Sequence, residues 1–366
     1  MSLNIGIIGL PNVGKSTTFN ALTDAYLAEV ANYPFCTIKS NRAIVPVPDI
    51  RIDKLQSILS VPNAIHATVE FVDIAGLVKG ASHGEGLGNL FLGNIRNTNA
   101  LLHIVRCFDD PNVVHISANP NPKEDIEIVN IELILADIQQ LDKKIEKLSH
   151  QIKGDKSLIS IFDLSNALKK HLSSGNPLST FPHDDSNLFE SLNKEMQFLT
   201  AKPVIYLANV SEDNLVNDND YVKEVKEIAQ KQNATTLTIC SKLEQELIGV
   251  SEEEKRELLD IVGIKKSGLA KVIQQSYETL GLISFFTRNE NEVRAWEITR
   301  GTTAQKAAGR IHTDFERGFI RAEVISYSDF IKYRNISAIR AAGALSLEGK
   351  DYVVNDGDII QFRFNV

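Results

Sequence analysis

The chain has 366 residues, 43% of them hydrophobic and 23% charged, and a net charge of −8 at pH 7. This length allows two or three domains, and the composition excludes a disordered or collagen-like chain. The acidic balance argues against coating nucleic acid through bulk charge, and no apolar run reaches membrane-spanning length.

The N-terminus lacks the basic flank of a signal peptide. Cys36, Cys107 and Cys240 are widely spaced without a CxxC, which fits reduced thiols in a cytoplasmic protein. The first strand is expected at Asn4–Ile8. Gly9-Leu10-Pro11-Asn12-Val13-Gly14-Lys15-Ser16 follows it and opens a helical pattern over 16–23. This is G-x-x-x-x-G-K-[ST] between a strand and a helix, the context that gives the motif its meaning. Gly9 and Gly14 let backbone N–H groups turn toward phosphate oxygens, and the helix N-terminus adds partial positive charge. Lys15 supplies a point charge for the β- and γ-phosphates, and Ser16 a hydroxyl for Mg²⁺. Asn12 is a candidate contact for a monovalent cation such as K⁺.

In the next loop, Thr37 is the candidate for a second hydroxyl on Mg²⁺. A strand over 69–74 then carries Asp73 to its carboxyl edge, where it can hold Mg²⁺ through water. The Gly76 N–H, three residues on, can sense a γ-phosphate. Gly76, Gly80, Gly84, Gly86, Gly88 and Gly93 follow in quick succession, a density that permits two conformations. Leu77 occupies the position where many nucleotide switches carry a water-orienting Gln, so intrinsic hydrolysis is expected to be slow. His115, after a strand over 101–107, is the candidate to take over that task.

The alternation is interrupted at 125–201. Ile131, Ile134, Ile138, Leu141, Ile145, Leu148 and Ile152 are spaced 3-4-3-4-3-4, a coiled-coil seam, and two further helical patterns follow. This predicts a helical hairpin projecting from the sheet. Strands resume over 204–208 and 235–240, and such alternation implies a parallel sheet covered on both faces. After 204–208 stands Asn209-Val210-Ser211-Glu212 in place of the N-K-x-D whose carboxylate selects guanine. Without that acceptor the discrimination against adenine is lost, and backbone groups around Val210 can read adenine N6 and N1. Cys240-Ser241-Lys242 is placed to close over the base. Strand patterns at 293–299, 319–326, 352–354 and 359–364 around a helix at 303–312 then predict a small α+β domain.

GLPNVGKST, ANYPFCTI, EFVDIAGLVKGASHGEGLGN, ANVSE and KDYVVNDGDIIQFRFNV together resemble the YchF family of Obg-related P-loop ATPases. The resemblance covers essentially the whole chain. It implies a P-loop α/β domain (1–124 and 202–282), an inserted coiled-coil arm (125–201) and a C-terminal domain (283–366) similar to the TGS β-grasp. It also implies ATP preferred over GTP, Mg²⁺ dependence and binding to the ribosome, particularly its large subunit. Phosphate contacts fall on Asn12, Val13, Gly14, Lys15, Ser16 and Thr17, Mg²⁺ ligation on Ser16 and Thr37, and base contact on Val210. His115 lies where such proteins carry a His after an apolar pair. Residues 155–190 depart most from the family's character. A monomer is expected, with an RNA contact sought around Arg294, Arg300, Arg310, Arg317 and Arg321. The competing readings are a guanine-specific GTPase and a P-loop kinase acting on a small acceptor.

Overall fold

The computed structural model describes residues 3–30, 41–74, 87–114, 120–182 and 187–365. Cys36, Thr37, Gly76, Leu77 and His115 lie outside the described residues. In chain order come β1 (Asn4–Ile8), α1 (Lys15–Val30), β2 (Arg42–Pro46), α2 (Ile50–Leu59), β3 (Asn63–Ile65) and β4 (Thr68–Asp73). Next are α3 (Leu87–Arg96), β5 (Ala100–Arg106), α4 (Pro122–Gln151), α5 (Ile159–Ser173) and α6 (Asn187–Met196). Then follow β6 (Val204–Asn209), α7 (Asp220–Lys231), β7 (Thr235–Ile239), α8 (Ser241–Glu246), α9 (Glu252–Ile261) and α10 (Gly268–Thr279). The chain ends with β8 (Leu282–Arg288), β9 (Glu292–Thr299), α11 (Ala304–Ile311), α12 (Thr313–Arg317) and β10 (Phe319–Ile325), then α13 (Tyr327–Tyr333), α14 (Ile336–Ala341), β11 (Ser346–Glu348) and β12 (Ile359–Phe364). Two compact units result: Met1–Ala43 with Glu70–Val272, and Ile44–Val69 with Ile273–Val366. No helix among the described residues is long and apolar enough to cross a membrane.

The first unit is built on a six-stranded sheet in the order β2-β4-β1-β5-β6-β7, with β4, β1, β5, β6 and β7 parallel. Every residue of β1 and β5 is buried, as expected of near-continuous apolar strands covered on both faces. The sequence pattern showed five of these strands. The sixth, β2, buries only Ala43 and Val45 and alternates as an edge strand does. Register pairs Asp73 with Ile7, so the acidic end of β4 stands beside the strand that feeds the glycine loop.

Helix α4 has 30 residues, about 45 Å of helix. Asn121 accepts from Glu124 N at its start, and Pro122 sits where a missing N–H costs nothing. Its first turns bury Ile126, Val129 and Leu133, with Ile126 in one cluster with Val105, Tyr206 and Val222. Further on, Ile134, Leu141 and Leu148 are buried, and Ile134 and Leu141 join Leu168 and Leu172 of α5 and Leu192 of α6. The hairpin is thus present, but its seam starts at Ile134. Ile131 is 53% exposed, because the helix changes the face it buries where it leaves the sheet. At this root the buried Asp137 accepts from Leu199 N (3.0 Å), Thr200 N (2.9 Å) and Thr200 Oγ1 (2.8 Å). Arg96, the last residue of α3, donates to Gln140 Oε1 (2.5 Å) and Gln197 O (3.3 Å). Lys202 donates to the carbonyls of Arg96 and Thr98.

The second unit holds a mixed sheet in the order β11-β10-β12-β8-β9-β3. β8 and β9 form an antiparallel hairpin, β12 runs parallel to β8, and β10 is antiparallel to β12 and β11. Counting from β8, the five C-terminal strands lie 2-1-5-3-4, with α11 packed on the core face through Ala304, Ala307 and Ala308. That is the β-grasp order. Differences from the sequence reading are local. Residues 352–354 make only an isolated bridge, Thr303 with Val353, while β8, β11, α13 and α14 were not foreseen. Each of those two helices is short and starts on a side-chain cap, Ser326 to Asp329 N and Asn335 to Ala338 N. Residues 44–69, read from sequence within the nucleotide-binding part, group with this unit because β3 pairs in parallel with β9. A three-residue strand whose partner lies more than 200 residues away leaves no local signal.

Candidate functional site

The turn after β1 needs its glycines. Gly9 has φ +146, and a Cβ there would stand 2.5 Å from the Ile104 carbonyl. Gly14 has φ +103, and a Cβ there would run into the Asn209 side-chain amide. Asn12 takes φ +61 between them and donates from Nδ2 to Val114 O at 3.0 Å. Helix α1 therefore starts at Lys15 with its first N–H groups turned toward the loop's concavity.

Lys15 is buried and donates to Leu10 O at 2.6 Å. Burial brings its ammonium down to about 8, with the Asp73 charge opposing the fall. Burial also raises the Asp73 carboxyl above its ordinary value, and Lys15 opposes that rise. Each charge is thus poorly solvated and relieved mainly by the other. Such a pair suits a site that takes up a polyanion and a divalent cation together. Ser16 on the first turn of α1 and Asp73 are hard oxygen donors of the kind Mg²⁺ selects, so these residues fit that ion.

Asn209, the last residue of β6, closes the opposite wall. Its Nδ2 donates to Val13 O at 2.9 Å and its Oδ1 accepts from Ser241 N at 3.0 Å. Ser241 Oγ in turn lies 2.8 Å from Thr18 Oγ1. One side chain thereby ties the glycine loop to the turn after β7. The space between is a cavity of about 560 Å³, lined by Asn12, by residues 14–17, by 108–110 and Val113, by 209–212 and by 240–242. Its volume lies in the range of small-molecule and cofactor sites.

The structure brings Asn12, Gly14, Lys15, Ser16, Thr17, Asn209, Val210, Glu212 and Ser241 to this one cavity. Val13 is buried behind it, and Asp73 approaches from β4. Base reading by Val210 is narrower than expected. Its N–H is committed to Ile239 O at 2.8 Å, so its carbonyl is the backbone group left to meet an exocyclic amine.

Arg106 was not singled out from sequence. It is 2% exposed at the end of β5 and donates to the carbonyls of Phe108 (3.1 Å), Asp110 (3.1 Å) and Val113 (2.9 Å). It thus pins the cavity wall formed by 108–113. The signal was available, since an arginine closing the apolar run Ala100–Arg106 requires partners if it is buried. His103 is likewise buried, and burial, followed by the Lys15 charge, lowers its imidazole to about 3. It is neutral and packs on Tyr206 with ring centroids 5.3 Å apart.

A family model described as "50S ribosome-binding GTPase" matches residues 4–162, and the YchF-GTPase C-terminal model matches 282–365. The chain is 48% identical to the "Ribosome-binding ATPase YchF" of Pasteurella multocida, over the full length of both. It is 46% identical to the proteins of the same name from Bacillus subtilis and Escherichia coli O157:H7, again over the full lengths. The structure titled as the Schizosaccharomyces pombe YchF GTPase superposes with a TM-score of 0.89 at 37% identity, covering 99% of this chain and 98% of that one.

Proposed function

The chain belongs to the YchF family, and from that premise we propose that it is a Mg²⁺-dependent ATPase, preferring ATP to GTP, whose nucleotide state controls docking on the ribosome. The observation that carries the reading is the cavity joining Lys15, Ser16, Asn209 and Val210. Lys15 faces the β- and γ-phosphates, the amides of 13–17 cradle them, and the α1 N-terminus adds to the field. Ser16 and Thr37 would hold Mg²⁺, with Asp73 acting through water, and the ion so held would supply neutralising charge for the phosphate oxygens. Water attacks the γ-phosphorus, the bond to the β-phosphate oxygen breaks, and ADP and inorganic phosphate leave. His115 orients that water, since the Leu77 side chain offers no hydrogen-bonding group, and the unassisted rate is slow.

Base preference follows from chemistry missing at 209–212. Glu212 replaces the guanine-reading Asp with a side chain one methylene longer, and the Val210 carbonyl accepts from adenine N6. The relatives' names divide between "ATPase" and "GTPase", which makes competition of ATP and GTP for a labelled nucleotide the direct test. Clear GTP selectivity refutes the base reading. Phosphate release without an acceptor excludes the kinase. Lys15→Ala abolishes tight nucleotide binding, and normal ATP affinity in that variant refutes the site. His115→Ala lowers turnover with affinity retained.

The protein acts in the cytoplasm as a monomer. The arm (125–201) and the C-terminal domain (283–366) are its docking parts on the large subunit, the latter through RNA. Co-sedimentation with ribosomes under ADP and under a non-hydrolysable ATP analogue tests this. Equal binding in both states refutes nucleotide control.

A further inference from the structure

The arginines picked out from sequence are largely occupied. Arg310 pairs with Glu297, Arg317 lies 3.9 Å from Asp314, and Arg294 stacks over Trp296 at 4.0 Å. Of that run, Arg321 instead joins three arginines from elsewhere in the chain at the outer face of the second unit's sheet. Register places Arg321 opposite Arg363, and Glu323 opposite both Gln361 and Leu347. Strand alternation turns these away from the core that holds Ala322, Val324, Ile360 and Phe362.

Glu323 has a side chain only 9% exposed and accepts from Arg363 Nε at 2.8 Å, with Arg340 at 3.8 Å and Arg321 at 4.0 Å. Their three guanidinium side chains remain 45%, 61% and 52% exposed in that order. Arg288, at the end of β8, lines a small cavity with Arg340, Glu323 and Gln361 and has no ion pair among the described residues. Desolvation, then the Arg340 charge, lowers its guanidinium from its ordinary value. Among the described residues, Glu323 is the carboxylate paired at this face, one negative charge against four guanidiniums. The contrast with the whole chain is sharp. The second unit balances 14 basic against 14 acidic residues, so the net −8 lies entirely in the first.

We propose that Arg288, Arg321, Arg340 and Arg363 form a docking face for the phosphodiester backbone of ribosomal RNA. This rests on the ribosome reading above and names the surface that serves it. Glu323 orients the set: by taking Arg363 Nε it leaves that residue's terminal N–H groups outward, in the fork that matches phosphate oxygens. The exposed Gln361 and Leu347 lie in the same row and meet sugar and base edges.

The test uses the full-length protein with Arg288→Gln, Arg321→Gln and Arg340→Gln combined. Binding to a labelled oligo(U) of about 20 nucleotides and co-sedimentation with salt-washed ribosomes are followed across a salt titration. RNA affinity falls at least about tenfold, and the slope of log K against log salt becomes shallower by about 2, at roughly 0.7 per lost phosphate contact. ATP binding and melting temperature stay at wild-type values, as does RNA binding by an Arg310→Gln, Arg317→Gln control. Leu347→Glu, which removes no arginine, weakens RNA binding several-fold and covers the case of a misfolded triple variant. An unchanged salt slope and unchanged co-sedimentation overturn the proposal. Competition by polyglutamate equal to that by RNA also overturns it, in favour of an acidic protein surface. Absence of wild-type co-sedimentation refutes the ribosome reading alone, and the oligo(U) arm then decides the face.

Discussion

Gly14 shows how much of the site hangs on single atoms. A methyl group there meets the Asn209 amide, in a backbone conformation that L-residues rarely adopt. Gly14→Ala is expected to destabilise the protein by about 1–3 kcal/mol, read by thermal melting, and to abolish nucleotide binding. Asn209→Ala removes two buried hydrogen bonds and is expected to cost about 2 kcal/mol. Lys15 makes a prediction in pH. Its ammonium, lowered to about 8, must be charged to hold phosphate. Nucleotide affinity should therefore fall about tenfold per pH unit above 8, measured with a fluorescent ATP analogue; a flat profile contradicts the role. Stability of the nucleotide-free protein moves the other way. The charged lysine is a penalty below pH 8 that is relieved as pH rises toward the ordinary 10.5, where the unfolded chain still holds the proton. The glycine loop was legible from sequence because its residues are contiguous and its chemistry is local. The clamp made by Asn209 was not, because Val13 lies 196 residues from it and only the strand order brings them together.

At the scale of elements, the wall over 108–113 depends on a residue outside it. Arg106→Lys keeps the charge, but one ammonium cannot span the three carbonyls that the guanidinium serves. The expected result is nucleotide affinity lowered about tenfold with turnover at saturation retained, equivalent to ~1.4 kcal/mol. The arm has a comparable dependence. Asp137→Ala strands the N–H groups of Leu199 and Thr200 in a buried setting, and a loss of about 3 kcal/mol in denaturant unfolding is expected. Sequence periodicity found the arm because seven apolar positions repeat regularly. It misplaced the start at Ile131 because a heptad does not reveal which neighbour each turn meets. That depends on tertiary packing, as the shift from Ile126 and Val129 to Ile134 and Leu141 shows.

For the whole molecule, net charge averages over two unlike units. An acidic total of −8 argues against coating nucleic acid through bulk charge and leaves room for a local patch: the acidity is confined to one unit, and four arginines gather at one face of the other. Their positions, 288, 321, 340 and 363, show no cluster along the chain; the pairing of β10 with β12 sets Arg321 beside Arg363, and the end of β8 and helix α14 bring Arg288 and Arg340 to the same face. The thread of the backbone has a further consequence. After Ala43 it leaves the nucleotide-binding unit, contributes α2 and β3 beside β9, and returns at Glu70. The second unit is therefore not a cassette. A chain cut at residue 282 would strip β3 of its hydrogen-bonding neighbour and bare Ile52 and Leu55, while the excised tail would lack an edge strand. Modular exchange of this tail between proteins would have to transplant two separate stretches at once, which ties inheritance of the nucleotide pocket to inheritance of the sheet that follows it.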